Sequence, residues 1–273
     1  MAQYIDLRSE DQHLFRAFVV EPPVPARAAV VILQEMDQRG WGSDSARPSP
    51  ASNKSALPGV NAYARAVAKS YAAEGYLAIA PSTFSRGRSG HDYGYLYDDS
   101  HRKGHPRIVK PLQALPSPLV MLDIRAAIEH GRQLAPGGQV AVLGFCWGGL
   151  LAWRAACSLE GLQAAVCYYG GGMTEAPESA QKPRCPVLAH MPQDKHWMSQ
   201  SSIQDFGAAH TATAFLQPGD APQPWAGEPL VQIEKYEADY GFDNPQRPGA
   251  HSASALLARQ RTLHFLARQL TVS

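Results

Sequence analysis

QVAVLGFCWGGLLAWRAACSL, running from Gln139 to Leu159, starts as a strand and finishes as a helix. Gln139–Phe145 is an apolar run rich in valine, the pattern of a strand buried on both faces. Gly148–Leu159 has the length and residue types of the helix behind it. Gly144-Phe145-Cys146-Trp147-Gly148-Gly149 joins the two, and the central residue of such a G-x-C-x-G turn sits on a tight, strained bend. Glycine at 144 and 148 removes side chains that would collide with the neighbouring strand and helix. Cys146 is therefore expected to project from the end of a sheet at a helix N-terminus, where the positive end of the helix dipole favours a thiolate. The N–H of Trp147 becomes a natural donor to an oxyanion.

Short apolar runs alternate with helix-length amphipathic segments on either side of this unit. The pattern predicts strands at His13–Val20, Ala28–Gln34, Tyr76–Ala80, Leu162–Tyr168, Cys185–Met191 and Val231–Tyr236. It predicts helices at Asn61–Glu74, Leu119–Leu134 and Ala253–Leu270. That order implies α/β architecture, a mostly parallel sheet with helices on both faces, in one domain over residues 1–273. Three long segments read as additions: Gln38–Pro58, Arg86–Pro116 and Gln217–Glu228. They are expected to form lids or rims, two of them after strand ends where ligands bind in open α/β sheets.

A net charge of +1 with scattered basic residues argues against nucleic acid or an anionic membrane as partner. No apolar run is long enough to span a bilayer, and MAQYIDLRSEDQHLF lacks the apolar core of an export signal. Cys146, Cys157, Cys167 and Cys185 form no C-x-x-C pair, so reduced thiols in the cytoplasm fit best. The last three read as buried, inert thiols. His91, His101 and His105 share a segment with Asp92, Asp98 and Asp99, without the tight spacing of a metal site. No metal or cofactor is expected.

A nucleophile needs a proton acceptor and something to orient it. Asp194 follows the CPVLAHM strand in a short turn and is the candidate acid, although aspartate is common in any such turn. The loop after the last predicted strand, Tyr236–Phe242, contains no histidine.

Taken together these residues resemble the dienelactone hydrolase family, which has the α/β-hydrolase fold. The likeness runs through VVILQE at Val30–Glu35, GVN at Gly59–Asn61 and AAEGYLAIAP at Ala72–Pro81. It continues through GFCWGG at Gly144–Gly149, AAVCYYGGG at Ala164–Gly172, HMPQD at His190–Asp194 and YGF at Tyr240–Phe242. Members of the family use a Cys-His-Asp triad to open lactones or esters through a thiol acyl-enzyme. The resemblance implies Cys146 as nucleophile, Asp194 as triad acid, and Glu35 as the carboxylate that helps deprotonate the cysteine when substrate arrives. It also implies that Arg86, in APSTFSRG, receives a substrate carboxylate; a solvated surface arginine is the plain alternative. A small-molecule substrate, no cofactor and a monomer follow from the same likeness.

Two departures stand out. The family's final loop reads H-G-F with the triad histidine first, and here that place is Tyr240. A phenol, ionising near pH 10 when unperturbed, does not shuttle protons near neutrality as imidazole does. Gln38–Pro58 also separates Glu35 from Gly59-Val60-Asn61, which follow almost at once in relatives. Three readings of the missing histidine stay open. His251 or His196 substitutes; or Cys146 with Glu35 suffices for acylation, with Tyr240 as a hydrogen-bond donor; or the pocket serves an isomerisation, a cyclisation or simple binding. The leading expectation is an ester or lactone hydrolase. Glu35 takes the Cys146 proton, the thiolate attacks, and the amides of Trp147 and Met36 hold the oxyanion. Trp147, Trp197 and Trp225 are expected to line an aromatic-friendly pocket.

Overall fold

The computed structural model describes residues 1–35, 60–86, 117–193, 198–210, 214–216, 231–247 and 249–270. Among them, nine strands form one sheet. They are β1 (Ala2–Arg8), β2 (Leu14–Val20), β3 (Ala28–Leu33), β4 (Tyr76–Pro81), β5 (Val140–Phe145), β6 (Ala164–Tyr168), β7 (Val187–Pro192), β8 (Ala214–Leu216) and β9 (Val231–Tyr236). Their spatial order is β1-β2-β4-β3-β5-β6-β7-β9-β8. β1–β2 and β2–β4 pair antiparallel, and every pairing from β4 through to β8 is parallel. β3 to β7 are buried at every position, as strands covered on both faces must be.

The described α-helices are α1 (Ala62–Ala73), α2 (Ser117–Leu134), α3 (Trp147–Ser158), α4 (Gln200–Ala209) and α5 (Ser252–Gln269). α1 and α5 share one face of the sheet, where Arg259 of α5 donates to the Ser70 hydroxyl of α1 at 3.1 Å. α1 starts where Asn61 accepts from the Ala64 N–H at 2.9 Å, an ordinary side-chain cap. α2 and α3 cover the other face, and α4 joins them through Phe206 against Trp153, with ring centroids 5.1 Å apart. The sequence-based expectation of an α/β/α sandwich holds. Element ends differ from the expected ones by up to two residues, the usual fraying.

Three elements escaped the sequence reading. β1 is an edge strand with one fully buried residue, Leu7, so its apolar signal is weak. α4 buries only Ile203, Phe206 and Gly207 among its ten residues, and β8 spans three residues. Among the described residues no helix is long and apolar enough to cross a membrane.

A buried histidine ties the sheet to the face covered by α5. His190, on β7, meets the Tyr236 hydroxyl of β9 at 2.8 Å through Nδ1 and the Thr262 hydroxyl of α5 at 2.9 Å through Nε2. Burial, reinforced by the Arg261 charge, holds its pKa well below the usual histidine range. It is a neutral strut between sheet and helix rather than a proton carrier.

The elbow is the tightest packing in the sheet region. A Cβ on Gly148 would stand 2.3 Å from the Leu33 carbonyl oxygen, and one on Gly144 would stand 1.9 Å from the Gly148 oxygen. Both obstacles are backbone, which has no rotamer to yield. Gly148→Ala is expected to lose about 3 kcal/mol or more and to melt roughly 6–12 °C lower, measured by thermal denaturation. Leu256→Ala, at an exposed position of α5, is the control and should stay within about 0.5 kcal/mol. A Gly148→Ala protein as stable as the parent would contradict this packing.

Candidate active site

Parallel register brings the candidate residues to one edge of the sheet. Leu33 of β3 pairs with Gly144 of β5, so Glu35 and Cys146 leave adjacent strands at the same level. Phe145 pairs with Tyr168 of β6, which puts Tyr169 beside them. Cys146 has φ 56° and ψ −118°, a left-handed conformation for a residue that has a side chain. Three backbone bonds hold it there, from its N–H to the Tyr168 oxygen at 3.0 Å and to its own oxygen from the Leu150 N–H at 3.2 Å and the Gly171 N–H at 3.3 Å. α3 begins at Trp147, whose N–H has no carbonyl one turn earlier to receive it, as at any helix start. The Trp147 ring packs on Phe84, with centroids 5.0 Å apart.

Glu35 is fully engaged. Its preceding residue, Gln34, donates to the Pro81 oxygen at 2.7 Å and accepts from the Thr83 hydroxyl at 2.9 Å, locking the ends of β3 and β4 together. The Glu35 carboxylate accepts from the Asn244 amide at 2.6 Å and pairs with the Arg247 guanidinium at 2.9 Å. Glu35 and Arg247 side chains are each only 4 % exposed, so the pair is a desolvated one. Gly241 makes room for it, because a Cβ there would stand 2.5 Å from Arg247 Cδ.

Tyr240 lies on the sulfur. Its hydroxyl hydrogen-bonds Cys146, and its ring packs against Tyr169 with centroids 4.9 Å apart. Burial pushes this phenol well above the usual tyrosine range, and the neighbouring sulfur pushes it further. Tyr240 therefore remains protonated at neutral pH and can donate to a thiolate, but it cannot accept the thiol proton.

Asp243 was not among the residues the sequence singled out. The Tyr63 hydroxyl donates to its Oδ2 and the Tyr169 hydroxyl to its Oδ1. Burial raises its pKa to about 6, against the downward pull of the two phenols and of Arg247. Tyr169 holds φ 39°, a second left-handed side-chain residue at the same edge of the sheet. The polar run Asp243-Asn244-Pro245-Gln246-Arg247 just after the YGF motif was the available signal, and loop polarity alone made it look ordinary.

The structure thus gathers Cys146, Trp147, Glu35 and Tyr240, and it sets Arg86 apart. All three guanidinium nitrogens of Arg86 donate to protein acceptors: Nε and Nη2 to Asp123 at 2.8 and 2.7 Å, Nη1 to Asp11 at 2.7 Å, and Nη2 also to Ser9 at 2.9 Å. At 7 % exposure it is not the solvated surface arginine that was the plain alternative, and its donors are directed at the β1–β2 turn and α2. His251 caps α5, accepting from the Ser254 N–H through Nδ1. It lines an open cleft with Gln193, Glu237 and Asp239. Burial pushes Cys157 and Cys185 up to about 12 and raises Cys167 well above the usual thiol range, which makes them poor nucleophiles. Among the described residues no three His, Cys, Asp or Glu side chains gather to hold a metal ion. Asp194, Met36, His196, Trp197 and Trp225 lie outside the described residues, as do His91, His101 and His105 with Asp92, Asp98 and Asp99, and residues 38–58, 87–116 and 217–228.

Comparison with known proteins gives the family and the fold. Residues 55–270 match the sequence profile of the dienelactone hydrolase family. Carboxymethylenebutenolidase of Pseudomonas putida is 27% identical over 98% of this chain and 97% of its own length. A putative carboxymethylenebutenolidase of Salmonella typhi is 28% identical over 77% of this chain and 73% of its own. Among solved structures, a putative dienelactone hydrolase from Klebsiella pneumoniae superposes with a TM-score of 0.69 at 23% identity, covering 98% of each chain. An esterase of Pyrococcus furiosus superposes at 0.60 with 13% identity, covering 99% of this chain and 94% of its own. These two structural likenesses establish the α/β-hydrolase fold.

The Asp243 cluster makes a direct prediction about pH. Between about 4 and 6 the unfolded chain has released this proton and the folded chain still holds it, so this group lowers stability as pH rises through that window and has no further effect above it. Carbon-detected NMR of the carboxyl is expected to titrate near 6. Tyr169→Phe removes a donor that favours the charged form, so the midpoint should move higher. A midpoint near 4, or a downward move in Tyr169→Phe, would contradict the assignment.

Proposed function

The chain belongs to the dienelactone hydrolase family, and from that footing we propose that it hydrolyses a carboxylic ester or lactone through a thioester on Cys146. The observation that carries this reading is the strained elbow at Cys146, with the Tyr240 hydroxyl on its sulfur and Glu35 at the end of the adjacent strand. The name of the Pseudomonas putida relative, carboxymethylenebutenolidase, makes a lactone the first substrate class to try. Family membership weighs against an isomerase, a cyclase or a passive binder.

In the proposed cycle the Glu35 carboxylate accepts the Cys146 proton once substrate loosens its pairing with Arg247. The sulfur forms a C–S bond to the carbonyl carbon, and the carbonyl electron pair moves onto oxygen. The Trp147 N–H receives that oxyanion, with the Met36 N–H as its expected partner. Collapse breaks the C–O bond, and the leaving oxygen takes the proton from Glu35. Water then attacks the thioester and gives a proton to Glu35; the C–S bond breaks, the sulfur departs with a hydrogen bond from Tyr240, and the Glu35 proton returns to it to restore the thiol. Asp194 is carried over as the triad acid on the resemblance alone.

Tyr240 alters the balance between the two halves of the cycle. As a donor to sulfur it favours thiolate both as attacking and as leaving group. As a phenol kept protonated by burial it cannot activate water, the task an imidazole performs in the family's triad. Deacylation is the slower half. Intact-mass spectrometry over a time course with 4-nitrophenyl acetate is expected to reveal an acetyl adduct that maps to Cys146 and decays slowly. Cys146→Ala should form none. Product release with no adduct on Cys146, or the same adduct and turnover in Cys146→Ala, would defeat the proposal.

A further inference from the structure

Tyr240 acts on the sulfur only through its hydroxyl, so whatever sets the place of that hydroxyl bears on the chemistry. The fit around it is close. A Cβ on Gly171 would stand 3.2 Å from the Tyr240 hydroxyl oxygen, and the Gly171 N–H bonds the Cys146 oxygen at 3.3 Å. The Tyr240 ring lies on Tyr169, with centroids 4.9 Å apart and planes tilted by 54°. Tyr169 is itself wedged: its ring meets Phe242 at 5.6 Å and Phe145 at 6.5 Å, and its N–H bonds the His190 oxygen at 2.8 Å. One carboxylate joins these pieces. Asp243 accepts from the Tyr169 hydroxyl at Oδ1 and from the Tyr63 hydroxyl of α1 at Oδ2. It also follows Tyr240 in a short turn closed by the Asn244 N–H on the Gly241 oxygen at 3.2 Å. Two routes therefore lead from Asp243 to the Tyr240 hydroxyl, one through the Tyr169 ring and one through that turn.

We propose that Asp243 is a positioning residue: by bracing Tyr169 and the loop after β9 it holds the Tyr240 hydroxyl on the Cys146 sulfur. Its effect on the sulfur passes through Tyr240. A hydroxyl turned off line donates poorly, and the thiolate, which needs the donor more than the thiol does, is the form that suffers. Asp243 has no part in the proposed proton transfers; the role rests on the hydrolase reading for its use in catalysis, and on the contacts alone for its effect on the sulfur.

The test needs no turnover. Iodoacetamide alkylates a thiolate, forming an S–C bond and releasing iodide, and its rate at Cys146 is followed against pH on the full chain by peptide mass spectrometry. The plateau at high pH absorbs any difference in access, so the midpoint reports how well the thiolate is stabilised. Tyr240→Phe removes the donor, and its midpoint is expected about one pH unit above the wild type's, the scale of one hydrogen bond to a charged group. Tyr169→Phe, which leaves every charge in place, should raise the midpoint by about half a pH unit or more, and by nothing further once Tyr240 is Phe. Asp243→Ala is read the same way, as the difference between its effects with and without the Tyr240 hydroxyl. Removing a nearby negative charge would by itself lower the midpoint, so a rise marks a lost donor. A natively folded Tyr169→Phe protein with an unchanged or lower midpoint overturns the proposal, even if Asp243→Ala does not fold. So does an equal rise in the Tyr240→Phe background, which would mean that the sulfur is reached by another route. A Tyr240→Phe midpoint no higher than the wild type's, or a wild-type Cys146 that is alkylated at no pH, removes the donor and the proposal with it. A chain that hydrolyses no ester yet shows the coupled midpoints loses the hydrolase reading and keeps the positioning role.

Discussion

The first turn of α3 rests backbone-on-backbone on the end of β3, and the site depends on that contact. With no side chain at Gly148, the helix start comes within a Cβ's width of the Leu33 and Gln34 carbonyls. The same approach fixes Cys146 at φ 56° and brings it level with Glu35 on the neighbouring strand. Strain of this kind costs about 1–3 kcal/mol and persists only where the surroundings over-determine it. Here they do: β3 and β5 are buried along their whole length, and Gln34 ties the end of β3 to the segment after β4.

On that platform the electrostatics follow from burial. Desolvation keeps the Tyr240 phenol protonated, so the sulfur has a permanent donor beside it. In the proposed cycle proton acceptance falls to Glu35. That carboxylate pairs with Arg247 and accepts from Asn244, while Asp243 is held between two phenols. The arrangement is rich in groups that stabilise negative charge on sulfur or oxygen and poor in groups that move protons near neutrality. In the proposed cycle that asymmetry separates acylation from deacylation.

Much of this was legible in the sequence for reasons that can be named. QVAVLGFCWGGL encodes strand, bend and helix within a dozen residues, and the two glycines report steric collisions that the structure bears out. The central strands are continuous apolar runs, so burial on both faces was plain. β1 and α4 were missed because each contributes only a few buried side chains, and an edge element leaves little periodic signal. The partners of Arg86 were not legible because sequence position says nothing about where a long side chain turns; Asp11 and Asp123, 75 and 37 residues away, decide that. Asp243 and Arg247 escaped for a related reason: polar residues in a loop look solvated until the fold folds that loop over the sheet edge. Tyr240 was seen as an anomaly, but its hydroxyl bond to Cys146 required three-dimensional contact.

In the proposed reading the elbow, its sulfur and its carboxylate acylate readily, and the phenol at position 240 limits turnover. Pre-steady-state kinetics of a neutral activated ester, wild type against Tyr240→His, tests it most directly. A burst followed by slow turnover is expected in the wild type, and in the variant a similar burst with turnover faster by about tenfold or more, since positioned acid–base catalysis is worth roughly 10²–10⁴. A variant that acylates normally and turns over no faster would mean that the histidine's absence is not what limits this site.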